Sequence, residues 1–221
     1  MGKVALITGS SRGIGRAIVK KFETSGYKLL TPSRSEMNLL DNSSIEAYCK
    51  KIEVDIDVII NCAGVNTIAT LNELDDADLN SMIQIDLLAP LKIIQCLNNK
   101  MGKNCLGHIV NISSIWSFIS KEGRCGYSAA KAGINGMTRT LALEFASKNI
   151  LINSVAPGYV NTELTKQNNT PEDIATISSL IPLQRLAEPE EIANLVYFLS
   201  SDMNTYITGQ TIIIDGGYIC K

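Results

Sequence analysis

Apolar residues in this chain fall in short consecutive runs, such as Val4-Ala5-Leu6-Ile7, Val58-Ile59-Ile60 and Ile212-Ile213-Ile214, instead of alternating with polar ones. A strand that is apolar at successive positions must be covered on both faces. Strands are therefore expected at Lys3–Thr8, Lys28–Thr31, Asp57–Asn61, Gly107–Ile112, Leu151–Ala156 and Gln210–Ile214. Helical spacing fills the gaps near Gly13–Ser25, Ser43–Ile52, Asp78–Met101, Tyr127–Ser147 and Pro189–Ser200. Strand and helix in strict alternation predict an α/β fold: one domain over 1–221 with a doubly wound, mainly parallel sheet and helices on both faces.

Two segments break the rhythm. Pro32 to Asp41 leads almost directly from the second strand to the next helix, too short for a full crossover, so one βαβ unit is expected to be shortened. The stretch of about 159–188, with its polar run Gln167-Asn168-Asn169-Thr170, is expected to be an irregular lid. Ile115, Trp116 and that lid are the expected pocket walls, although packing is the commoner use of a tryptophan.

Composition narrows the class. Hydrophobic residues make up 45% of 221 positions and charged residues 19%, a globular balance. The net charge of −2 and the absence of any long Lys/Arg run argue against a nucleic-acid partner. No apolar run reaches membrane-spanning length, and the chain enters its first strand without a signal-like segment, so a cytoplasmic location and no membrane partner are expected. Six cysteines without a Cys-x-x-Cys pair, beside the one histidine His108, predict reduced thiols and no metal site.

Chemistry concentrates at the strand ends. The first strand runs into Thr8-Gly9-Ser10-Ser11-Arg12-Gly13-Ile14-Gly15, where glycines permit a tight turn and set a helix N-terminus against an anion. At the first βα junction this favours a dinucleotide pyrophosphate. Tyr127 and Lys131 stand four apart on one helix face, where an ammonium would favour the phenolate and lower its pKa. Ser114 follows a strand and offers a hydroxyl to a substrate oxygen, while Ser113 should point the other way. Cys125 reads as a bystander thiol.

Taken together, these motifs resemble the short-chain dehydrogenase/reductase family, in particular its 3-oxoacyl-(acyl-carrier-protein) reductase-like members. The resemblance covers almost the whole chain: Thr8 to Gly15, then Asn61-Cys62-Ala63-Gly64, Ser114, Tyr127-Ser128-Ala129-Ala130-Lys131, Pro157-Gly158 with Thr162, and Thr208-Gly209-Gln210 through Asp215-Gly216-Gly217. It implies a Rossmann fold and an oxidoreductase interconverting a carbonyl and a secondary alcohol. Tyr127 would be general acid and base, Ser114 would orient the carbonyl, and Lys131 would hold the nicotinamide ribose and tune Tyr127. Gly9, Ser11, Arg12, Gly13, Ile14, Gly15, Asn61, Ala63, Gly64, Pro157, Gly158, Val160 and Thr162 would border the dinucleotide, with Asn38 and Leu39 beside the adenine. A homotetramer or dimer built on the Asp78–Met101 and Tyr127–Ser147 helices and the C-terminal strand is implied as well.

The sequence departs from the family at Asp86, where relatives commonly have asparagine; buried near Lys131, it would form an ion pair and alter pH dependence. No acid follows the second strand until Glu36, while Arg12 and Arg34 suit a 2′-phosphate, so NADP(H) is preferred, with NAD(H) the alternative. The substrate is a small carbonyl or alcohol that no residue yet specifies, a 3-oxoacyl thioester and a keto-sugar both remaining open. Two other classes stay in view: a lyase or epimerase that returns NAD unchanged, and a non-catalytic dinucleotide-binding regulator.

Overall fold

The computed structural model describes residues 2–220. Its six strands are β1 (Val4–Ile7), β2 (Lys28–Leu30), β3 (Val58–Asn61), β4 (Gly107–Ile112), β5 (Ile150–Pro157) and β6 (Thr211–Ile214). They form one sheet in the order β2-β1-β3-β4-β5-β6, and every pairing is parallel. The helices are α1 (Gly13–Thr24), α2 (Asn42–Lys50), α3 (Asp76–Ile83), α4 (Ala89–Leu97), α5 (Cys125–Phe145), α6 (Glu163–Gln167), α7 (Pro171–Leu180) and α8 (Pro189–Leu199).

The apolar runs are explained by two cores, one on each side of the sheet. Leu6, Ile59, Ile109 and Ile152 face α2, α4 and α5, packing with Ile45, Ile93, Leu97 and Phe145. Their strand neighbours Ala5, Ile7, Val58, Ile60, Val110 and Val155 face α1 and α8, against Ile18, Phe22, Ile192 and Val196. Successive side chains of a strand point to opposite faces, so a sheet buried on both sides has no polar position to alternate with.

The chain leaves β1 outward to β2, then crosses back over β1 to β3. The strand order reverses between β1 and β3, and a crevice opens there at the carboxyl ends, the usual ligand site of such sheets. As expected, the second unit is short: β2 is an edge strand, and only residues 31–41 separate it from α2.

Two regions differ from the sequence reading. The predicted helix over Asp78–Met101 begins at Asp76, where the Asp75 side chain accepts the Asp78 N–H at 2.7 Å, and it widens into a π turn over Gln84–Leu88. Pro90 explains the widening. It has no N–H for the Asp86 carbonyl, and the Ala89 N–H bonds to Gln84 five residues back. The lid is not irregular but carries α6 and α7. Thr170 and Asp173 cap each other reciprocally and Pro171 fills the first turn of α7, so what looks like a polar breaker is a helix start.

No described helix is long and apolar enough to cross a membrane.

Candidate active site

The turn after β1 is held open by its glycines. Gly9 (φ +68°) and Gly13 (φ +53°) occupy the left-handed region, and a Cβ on Gly9 would lie 2.7 Å from Ala63 backbone atoms. Thr8 fastens this turn to the end of β3: its hydroxyl accepts the N–H groups of Cys62 at 3.1 Å and Ala63 at 3.2 Å. Helix α1 then begins without a side-chain cap and without an acid in its first turn. Its leading N–H groups and positive dipole end are thus left for an anion in the cleft.

Gly9, Ser11, Arg12, Gly13, Ile14, Gly15, Ala63, Gly64, Tyr127, Lys131 and Thr162 border this cleft, of about 260 Å³. Adjoining it on one side is a hollow of about 330 Å³ bordered by Ser11, Arg34, Asn38, Leu39, Gly64 and Ile85. On the other side a cavity of about 150 Å³ is bordered by Ser114, Trp116, Tyr127, Pro157, Gly158, Tyr159 and Val160. An elongated dinucleotide fits this succession: an open backbone cradle at the centre, an arginine-bearing hollow at one end and a polar reaction chamber at the other. Asn61 is the exception among the expected contacts. Its side chain is buried and donates to Asn111 Oδ1 at 2.8 Å, away from the cleft.

That bond begins a polar seam beneath the site. Asn111 donates to Thr138 Oγ1 at 3.0 Å, and Thr138 meets Ser154 Oγ at 2.7 Å, tying β3, β4, β5 and α5 together through buried groups. Mutually satisfied polar groups in a dry interior rigidify what rests on them.

The two serines separate as alternation requires. Both serines border the reaction chamber, but Ser113 Oγ turns inward to the Lys131 carbonyl and Ser117, whereas Ser114 Oγ accepts the Trp116 N–H at 3.2 Å. Tyr127 and Lys131 share one side of α5, with the ammonium 5.5 Å from the phenol ring centre. Lys131 Nζ donates to the Ile112 carbonyl at 2.9 Å and lies 3.1 Å from Asp86 Oδ1. Asp86, brought inward by the π turn, is 1% exposed and Lys131 4%. The expected ion pair is therefore present.

Its electrostatics modify one expectation. Burial, partly offset by the Lys131 charge, raises the Tyr127 phenol above its ordinary value, and the Asp86 charge adds to the rise. Burial therefore outweighs the ammonium that was expected to lower it, and Asp86 answers that ammonium in part. Burial opposes the charge on Lys131, yet Asp86 and Tyr127 together hold it above its usual value. Burial also raises the Asp86 carboxyl, against the pull of Lys131. The two shifts favour opposite states of the pair. Contact decides for the ionised one, because Oδ1 faces Nζ while Oδ2 accepts the Val65 N–H at 3.4 Å.

Other reactive groups stand aside. Cys125 is exposed, and burial pushes the Cys62 thiol up to about 12. His108 is buried on β4 with its Nε2 3.1 Å from the Asn204 carbonyl. The sequence reading missed Arg124 and Asn66, which both border the reaction chamber. The one available signal for Arg124 was its place three residues before Tyr127.

Fold and cleft define a dinucleotide-dependent α/β oxidoreductase. A family model described as enoyl-(acyl carrier protein) reductase matches residues 35–219. The 3-oxoacyl-(acyl-carrier-protein) reductase of Vibrio harveyi is 35% identical over 237 aligned positions, covering 98% of this chain and 97% of the relative. That span exceeds the 221 residues present, so the alignment opens gaps in this chain, in keeping with its shortened second unit. Among solved structures, a short chain dehydrogenase family protein from Francisella tularensis superposes with a TM-score of 0.93 at 27% identity, and 4-hydroxyisoleucine dehydrogenase complexed with NADH with 0.92 at 26%, each over the full length of both chains. The protein belongs to the short-chain dehydrogenase/reductase family and is an NAD(P)-dependent enzyme.

A Cβ on Gly15 would lie 2.0 Å from the Gly9 carbonyl oxygen, so alanine there must displace the turn. Gly15→Ala is expected to weaken binding of the reduced nicotinamide dinucleotide by about 100-fold or more with helical content retained. Titration of NADH and NADPH fluorescence checks this; an affinity within about threefold of the parent enzyme would remove the turn from the binding surface.

Proposed function

We propose that the enzyme is an NADP(H)-dependent ketoreductase that interconverts a small carbonyl compound and its secondary alcohol, with Tyr127, Ser114 and Lys131 as its working groups. The observation behind this reading is that a phenol and a serine hydroxyl border one chamber at the end of the dinucleotide-shaped cleft, with a buried ammonium under the phenol. The nicotinamide cofactor, when bound, supplies the hydride in reduction and accepts it in oxidation. Ser114 Oγ hydrogen-bonds the substrate oxygen, and Tyr127 donates its proton to that oxygen in reduction or removes it in oxidation. Lys131 holds the ribose and favours the phenolate once the proton has left. Because burial raises the phenol, Tyr127 is protonated at neutral pH, the state reduction requires.

The adenosine end supports the choice of NADP(H). Glu36, the first acid after β2, accepts both the N–H (2.8 Å) and the hydroxyl (2.7 Å) of Ser33 and does not border the hollow. Arg34 does border it, and Arg12 borders the adjoining cleft, both exposed and in position for a 2′-phosphate. Leu91 on α4 and Leu143 on α5, both exposed, support self-association through those helices.

The direct test is absorbance at 340 nm with a panel of ketones and alcohols and both cofactors. NADPH is expected to exceed NADH in kcat/KM by about tenfold or more, and Arg34→Ala to erase most of that margin. Dependence on NADH alone would overturn the preference, and no dinucleotide turnover with any ketone or alcohol would overturn the reductase itself.

The ion pair makes a second prediction. The Asp86 carboxylate raises the phenol's pKa, so Asp86→Asn removes a charge that opposes the phenolate. The alkaline fall of reduction and the alkaline rise of alcohol oxidation should both move to lower pH. A pH–rate profile that stays in place, or moves upward, would dissociate Asp86 from the proton transfer.

A further inference from the structure

The reaction chamber holds a positive charge that no carboxylate among the described residues answers. Arg124 stands just before the first turn of α5 and is only 6% exposed. Its Nε and Nη1 are buried without a hydrogen-bond partner, and it joins no ion pair among the described residues. Its guanidinium carbon lies 5.9 Å from the centre of the Trp116 ring. Stacking on an indole orients a guanidinium but gives its N–H groups no acceptor. Burial accordingly pulls its pKa below the ordinary value, against Tyr159 and Tyr127, which favour the charge.

The surroundings sharpen the point. Lys131, the cation beneath Tyr127, is already matched by Asp86. The residues bordering the chamber beside Arg124, including Ser114, Tyr127, Asn66, Asn168 and Asn169, contain no aspartate or glutamate. The chamber therefore presents one uncompensated positive charge, and a buried charge without a partner destabilises the fold that contains it. A monoanionic, planar group would balance it and engage the guanidinium fork with two parallel hydrogen bonds. A phosphate dianion would replace the unmatched positive charge with a negative one.

We infer that Arg124 is a specificity-determining residue that receives the carboxylate of a small oxo acid or hydroxy acid, whose reacting oxygen is placed at Ser114 and Tyr127. This rests on the ketoreductase reading for the chemistry and adds the substrate class. Selection works because a neutral ester or thioester offers the guanidinium a carbonyl oxygen but no countercharge, whereas the free acid supplies the charge and both acceptors of a bidentate pair.

Trp116 is the only tryptophan of the chain and lies against Arg124, so its fluorescence reports the charge site independently of turnover. The probes are acetoacetate, 4-oxopentanoate and butyrate, each compared with its methyl ester at constant ionic strength in chloride, with saturating NADP⁺ for fluorescence and NADPH for turnover. The acids are expected to change the Trp116 emission saturably, and the oxo acids to be reduced with kcat/KM about 100-fold above their esters. In Arg124→Met the acid-over-ester ratio should collapse to near unity, and Arg124→Lys should restore part of it. Equal binding and turnover of acids and esters by the parent enzyme would overturn the inference without any variant. So would failure of every acid to perturb Trp116, even if neutral ketones are reduced. Saturable, Arg124-dependent binding of the acids with no NADPH consumption by any carbonyl would keep the carboxylate site and sink the ketoreductase reading instead.

Discussion

Lys131 holds its charge while almost wholly buried, and two oxygens allow it to stay there: the Asp86 carboxylate and the Ile112 carbonyl at the end of β4. Removing either partner of such a pair strands the other charge in a low-dielectric interior. The pair locks α5 to the π turn and to the sheet, and this sets the height of Tyr127 above the strand ends. The working end of the cleft is thus positioned by a buried ionic contact as much as by apolar packing.

The π turn belongs to that contact. Pro90 prevents an ordinary helical bond to the Asp86 carbonyl, and the widened turn delivers a carboxylate inward. Gly64 then becomes a requirement, because a Cβ there would lie 2.6 Å from Asp86 Oδ1. A proline and an aspartate four residues apart, with a glycine distant in sequence, form one device around the lysine. Its consequence is electrostatic: burial raises the phenol, Lys131 offsets this only in part, and the Asp86 charge adds to the rise, so Tyr127 rests protonated.

Much of this was legible in the sequence because each feature left a local mark. Consecutive apolar residues in β1, β3 and β4 state that both sheet faces are covered, and the spacing of Gly9, Gly13 and Gly15 states that backbone must come close to a ligand. The i, i+4 spacing of Tyr127 and Lys131 fixes their common side of α5. What escaped lacks such a mark. The π turn depends on where Pro90 falls relative to Asp86, a relation that helical periodicity does not encode. Helices α6 and α7 are short and polar, and their capping residues are those of ordinary turns. Asn61 stands at a familiar position beside the cleft, but its side chain joins the seam below the sheet's end because Asn111 lies alongside it on β4. Arg124 is a charged residue in a turn, and only the tertiary structure shows it buried beside Trp116.

The central claim is that one phenol, positioned by the buried ion pair, moves the proton of the reaction. The most direct measurement is kcat for reduction by Tyr127→Phe beside its affinity for NADPH. The account predicts a fall in kcat of about 1,000-fold or more with the dissociation constant changed by no more than about threefold. Turnover within about tenfold of the parent enzyme would contradict it.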